Sequence, residues 1–96
     1  MEMHYKITTE AHPAERAVIV LLNGKFSEDA LPALEQSISE AKGSDRRVYI
    51  DLSEVTLVDR KAAQYFSKQR RGNVELVNCP IYLRRWIAQP GEDGDN

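Results

Sequence analysis

The sequence predicts an α/β fold, a mixed four-stranded sheet in the order β-β-α-β-α-β-α with the helices packed on the sheet. Two observations carry this. The runs AVIVLLNG (17–24) and RRVYIDL (46–52) are nearly continuous in β-branched and other apolar residues, the composition of central strands. The segments that follow them, 27–42 and 60–71, repeat apolar residues at helical spacing instead. A hairpin followed by strand–helix–strand units implies right-handed crossovers, with parallel strands except at one edge.

Taken in order, Met3, Tyr5 and Ile7 alternate with His4, Lys6 and Thr8, the period of a strand with one buried face, placed near an edge. EAHPAER supplies turn residues, and a loop that short makes the first two strands an antiparallel hairpin. The second strand, 17–23, reads as buried on both faces and is closed by Asn23-Gly24. In the next segment Leu31, Leu34, Ile38 and Ala41 share one face, opposite Glu35, Gln36, Ser39, Glu40 and Lys42. Pro32 is tolerated only in a first turn, so the regular helix should start near Asp29 or Ala30, and Gly43 should stop it.

A strand over 47–52 then places Val48, Ile50 and Leu52 on one side and Tyr49 on the other, after which Val55, Leu57 and Val58 carry the chain to Asp59. Asp59 suits the N-cap of a second helix whose Ala62, Ala63 and Phe66 face inward and whose Lys68, Arg70 and Arg71 sit near its negative end. NVELVN is the fourth strand, and Pro80 opens a short helix with Leu83, Trp86 and Ile87 on one face. Residues 1–89 thus form one domain, and 90–96 are expected to be a disordered acidic tail.

Composition narrows the classes. With 96 residues, 42% hydrophobic and 29% charged, the chain has room for one core and no second domain. The net charge of -2 hides an asymmetry: residues 1–59 hold six Lys/Arg against eleven Asp/Glu, whereas residues 60–89 hold seven against one. A lone Cys79 excludes an internal disulfide and, with only His4 and His12 to help, a structural zinc site. The opening MEMHYKITTE lacks the basic-then-apolar order of a signal peptide, and no apolar run approaches the ~20 residues of a membrane span, so a reducing cytoplasmic home without membrane insertion is expected.

The segment VTLVDRKAAQYF raises the functional question. A first helical turn favours acidic or small polar side chains, yet Arg60 and Lys61 follow the cap.

A hairpin ending in NGKF, then VYIDLSEVTLVD, a helix, VELVNCP and a final amphipathic helix resemble, over roughly residues 3–88, the STAS domain of anti-sigma factor antagonists and of the cytoplasmic ends of sulfate transporters. The resemblance implies a STAS-like mixed sheet and a regulatory, protein-binding role with no cofactor. It also implies a switch: family antagonists place a phosphorylatable Ser directly after an Asp that matches Asp59. Here Arg60 occupies that position and Lys61 and Ala62 the next two, so the acceptor hydroxyl is missing. Many family members also continue with another strand and helix where this chain has its acidic ending.

Other chemistry is poorly supported. Asp51 and Asp59 belong to a strand and a helix cap, not to a general acid/base pair, and Cys79 lacks a CxxC motif or a nearby His. His4 and His12 are read as surface residues without metal or nucleophilic partners, and no Gly-rich loop precedes a helix to hold a nucleotide. Ser53 and Thr56 are weak alternative phospho-acceptors, since turn hydroxyls more often bond their own backbone. The basic residues Arg60, Lys61, Lys68, Arg70, Arg71, Arg84 and Arg85 need not form one stripe, which ranks nucleic acid well below protein as a partner.

The expected function is therefore a non-enzymatic interaction module. Its partner face is Asp59, Arg60, Lys61 and Gln64, with Asn23 and Gly24 from the neighbouring strand end and Glu28 at the entrance to the first helix. An anti-sigma kinase, a sensor protein or a subunit of a lipid-transport ATPase is the kind of partner implied, and a homodimer is compatible with the sequence. The alternatives are a small-anion or ligand receptor using Arg60, Lys61 and backbone amides, and, as the resemblance implies, a STAS subunit of a lipid-transport ATPase complex.

Overall fold

A computed structural model of the protein describes residues 5–43, 45–72 and 74–85. Strands β1 (Tyr5–His12), β2 (Ala17–Phe26), β3 (Arg47–Val58) and β4 (Val74–Val77) form one sheet in the order β1-β2-β3-β4. β1 is antiparallel to β2, while β2, β3 and β4 run parallel. Helix α1 (Leu31–Lys42) joins β2 to β3 and α2 (Arg60–Arg71) joins β3 to β4. Residues 81–85 form a third helical segment, α3. Met3, His4, Trp86, Ile87 and the acidic tail 90–96 lie outside the described residues.

The mixed sheet, its helices and the adjacency of the two central strands are as the sequence predicts; their coverage differs. Strands that follow one another across the sheet through right-handed crossovers place successive helices on the same face. The inward residues of α1 (Leu34, Ile38, Ala41) and α2 (Ala62, Ala63, Phe66) accordingly join one buried cluster with Val18, Val20, Leu22, Val48, Ile50, Leu52 and Val74, alternate residues that share a sheet face. Each large, fully buried member such as Phe66, Leu34 or Ile50 contributes about 1.5–3 kcal/mol of transfer free energy. The opposite face carries Ile19, Leu21 and Tyr49 only half-buried. β2 is thus fully buried on one face, not two, because no element crosses back to cover the other among the described residues.

Local chemistry accounts for the connections. The β1–β2 turn is a single 3-10 turn, Pro13–Glu15, closed by the Arg16 N–H donating to the Pro13 carbonyl at 3.0 Å, with Arg16 in the left-handed region at φ 53°. A second 3-10 turn, Glu28–Ala30, leads into α1, where Pro32 occupies the first turn.

Asn23-Gly24 does not close β2. The strand continues through it to Phe26, and Gly24 at φ 101° sits between two register shifts against β3. Only glycine adopts that conformation without strain, so the pair marks a bulge region where a turn was expected. Both shifts place an extra residue on β3: Leu21 pairs with Asp51 but Asn23 with Glu54, and Gly24 pairs with Val55 but Lys25 with Leu57. The inward positions of β3 are therefore 48, 50, 52, 55 and 58, a spacing of two that lengthens to three. The bulges keep Val55 and Val58 in the core, turn Leu57 outward to 55% exposure, and extend β3 to the residue before Asp59.

Candidate functional site at the start of the second helix

Asp59 is the fixed point of this end of the molecule. Its Oδ1 accepts the Ala62 N–H at 2.9 Å, the N-cap bond expected from sequence. Its Oδ2 accepts the Glu28 N–H at 3.0 Å, and its own N–H donates to the Phe26 carbonyl at 3.2 Å. One side chain thus ties the β2–α1 loop to the start of α2 across 31 residues of sequence. With both oxygens engaged, Asp59 positions the surface around it rather than offering a free carboxylate.

Arg60 and Lys61 follow the cap as the first residues of α2, both exposed. Among the described residues no carboxylate forms an ion pair with either. The first turn of α2 has no acidic residue, so the helix dipole there is answered only by Asp59 while two cations oppose it. Gln64, also exposed, lies one turn further along. Glu28 is exposed and drawn to the site through its backbone bond to Asp59. Asn23 and Gly24 are placed differently: they lie inside β2, opposite Lys6 and Tyr5 of β1 and Glu54 and Val55 of β3, rather than at a strand end.

Two exposed apolar side chains, Leu57 and Tyr82, belong to the same end of the sheet and are not among the site residues expected from sequence. Leu57 is turned outward by the bulge, and Tyr82, 48% exposed, donates its hydroxyl to the Val55 carbonyl at 2.8 Å. Among the described residues β4 pairs with residues 48–51 of β3, and beyond Asp51 it is Tyr82 of α3 that meets this stretch of β3. The signal available in the sequence was the spacing Val48, Ile50, Leu52, Val55, Val58, which leaves Leu57 off the inward set.

Burial alone would push the Asp51 carboxyl up, but bonds from the Ser53 backbone, the Ser53 hydroxyl and Asn78 outweigh it and hold the group below its ordinary value. The Ser53 N–H and Asn78 Nδ2 distances are 2.9 and 3.3 Å. Ser53 is thereby committed to Asp51, while Thr56 is exposed on the outward-bulged stretch of β3. Burial raises the Cys79 thiol, against the opposing influence of Arg84 and Arg70, so it is mostly protonated at neutral pH. His12, which ends β1, is half-buried beside Glu10 at 3.5 Å and Glu15 at 3.8 Å.

The cations divide into two groups. Arg70 and Arg84 both act on Cys79 and so converge at the end of α2, whereas Arg60 and Lys61 stand at its start, about 15 Å away along the helix. A concavity of about 770 Å³ lies at the other end of the sheet, lined by Lys42, Asp45, Arg46, Arg47, Tyr49 and Glu75. Its charges are mixed, and the C-termini of α1 and α2, which border it, carry partial negative charge, so it is poorly suited to an anion. Among the described residues no group of three His, Cys, Asp or Glu side chains is arranged to hold a metal, and no helix is long and apolar enough to cross a membrane.

No protein-family profile and no curated protein matches the chain. Among solved structures it is similar to the crystal structure of an antisigma-factor antagonist, a STAS domain from Rhodobacter sphaeroides, with a TM-score of 0.58 and 22% identity over 77% of this chain and 86% of that one. The likeness is one of fold, and it agrees with the strand order and helix placement described above.

Proposed function

We propose, from the premise of a STAS fold, that this protein is a non-enzymatic interaction module that docks an acidic protein surface on the β3–α2 junction. Arg60 and Lys61 supply the charge, Gln64 and Glu28 the flanking polar contacts, and outward-facing Leu57 an apolar anchor. Asp59 holds these elements in place. The observation that carries the reading is the pair of exposed cations, without an ion-pair partner among the described residues, in a helical turn whose dipole disfavours them. A feature that opposes the local electrostatics of the fold is better explained by what it binds than by what it stabilises.

The partner belongs to the class the fold suggests: an anti-sigma-type kinase, a sensor protein or a transport-ATPase subunit with an acidic docking site. Binding is constitutive with respect to residue 60, because a guanidinium stands where a phosphorylatable hydroxyl would be needed. Two experiments bear on this. Affinity capture from the native cell should enrich a partner with wild-type protein and lose it with R60E/K61E; equal capture by both would overturn the assigned surface. Incubation with that partner, if it is a kinase, and ATP should leave residues 51–66 without phosphate by mass spectrometry. Stoichiometric phosphate on Ser53 or Thr56 would mean that the switch has moved and that binding is regulated.

A further inference from the structure

The two edges of the sheet are finished differently. β4 is four residues long, and its chain leaves the edge at Asn78, which adopts a left-handed φ of 54°. β1 presents eight residues, Tyr5–His12, in unbroken register with β2 and with neither a bulge nor a proline inside it. Short strands, prolines and bulges are devices that stop an edge from pairing with another chain, and β1 has none of them; charged side chains are a further device, which blocks only those registers that set like charges opposite each other. β1 does carry two charges on one face, Lys6 and Glu10, both exposed and separated by Thr8.

We propose that a second copy of this chain adds to the β1 edge in antiparallel register about a two-fold axis at Thr8, joining the two sheets into one of eight strands. A two-fold axis through an antiparallel pair passes between two copies of the same residue, so each possible register is defined by the residue on the axis. With Ile7 on the axis Lys6 faces Thr8, and with Thr9 on it Lys6 faces His12 and Glu10 faces Thr8. Only Thr8 sets Lys6 against Glu10 of the second copy, and symmetry makes the pair twice. Opposite charges directly across a strand pair favour that register, and any register that opposes like charges is rejected. Glu10 is an exposed side chain 3.5 Å from His12 of its own chain, a contact that leaves it accessible to the incoming Lys6.

The other face of β1 fits the same register. Tyr5 and Ile7 pack against the core, Tyr5 with its ring centroid 5.4 Å from that of Phe26, while Ala11 on the same face is exposed. About Thr8, Tyr5 of one copy lies across from Ala11 of the other and Ile7 from Thr9, so the apolar side of the edge is extended from one copy to the next. The β3–α2 junction, two strands away, stays open in such a dimer, and this assembly is independent of the partner reading.

Sedimentation velocity from low-micromolar to near-millimolar protein tests the register. Wild type should show a concentration-dependent monomer–dimer equilibrium. K6E and E10K should each weaken it by about tenfold or more, since each turns two attractive pairs into repulsive ones. The exchange K6E/E10K should restore it. An equimolar mixture of K6E and E10K should form a heterodimer, because every pair across the axis is again of opposite charge. Circular dichroism melts would confirm that these exposed substitutions leave the fold intact. A wild type that stays monomeric throughout, or a dimer indifferent to the single changes, overturns the proposal, and so does failure of the double exchange to recover association. R60E/K61E should dimerise as wild type does, so this result and the partner-binding result can fail separately.

Discussion

The two ends of α2 carry the same kind of side chain in opposite electrostatic settings. Lys68 and Arg70 lie near the C-terminus, where the dipole favours cations, whereas Arg60 and Lys61 occupy the first turn, where it disfavours them. The fold by itself explains the first pair and leaves the second unexplained. At the start of the helix a single carboxylate, Asp59, performs the stabilising work, with both of its oxygens in hydrogen bonds. Stability and recognition are thus divided between neighbouring residues, and the division can be tested by removing each part in turn.

The largest loss of stability should come from Asp59→Ala. It removes the cap on Ala62 and the bond to Glu28 together, and the two effects amount to about 2–3 kcal/mol in a denaturant titration. A loss under about 0.5 kcal/mol would mean that the start of α2 is held by something other than Asp59. Tyr82→Phe should cost about 1 kcal/mol, because the part-buried Val55 carbonyl loses its donor while the ring stays in place. At the favourable end of α2, Lys68→Glu should lower stability by roughly 0.3–1 kcal/mol without altering partner binding.

The smallest effect is pH-dependent. Asp51 has a folded pKa below its unfolded value, so its contribution is fully present above the usual carboxylate pKa of about 4 and is lost as pH falls through the depressed folded value. Stability curves of wild type and Asp51→Asn should therefore differ near neutrality and converge in acid. A gap that widens on acidification would reverse the assigned sign.

Much of this architecture was legible because hydrophobic period reports local structure. The apolar runs of β2 and β3 and the helical spacing of α1 and α2 each follow from short-range pattern, as does Asp59 as a cap. The bulges were harder, since a register shift arises only when two strands pair. Asn23-Gly24 reads as a turn until β3 is set beside it, when Gly24 proves to absorb a positive φ within a continuing strand. Leu57 reads from sequence as one of three apolar residues, with Val55 and Val58, that carry the chain to Asp59, and only the bulges separate it from the two that face inward. The second bond of Asp59 was invisible for another reason, as Glu28 is 31 residues away and contributes only a backbone N–H, which no side-chain pattern encodes. Of the site residues, Glu28, Asp59, Arg60, Lys61 and Gln64 gather around the start of α2, while Asn23 and Gly24 belong to the interior of a strand.

The claim that Arg60 and Lys61 serve binding against the preference of the helix is tested most directly by R60E/K61E, measured twice on the same preparation. Thermal unfolding should show a fold as stable as wild type or more so, by up to about 1 kcal/mol, since acidic residues suit the first turn. Affinity for the captured partner, by calorimetry at low salt, should fall by about 2–4 kcal/mol, some thirty- to a thousandfold, because attraction is replaced by like-charge contact. A variant that melts earlier and binds as tightly as wild type would show that the two cations are structural and that the partner docks elsewhere.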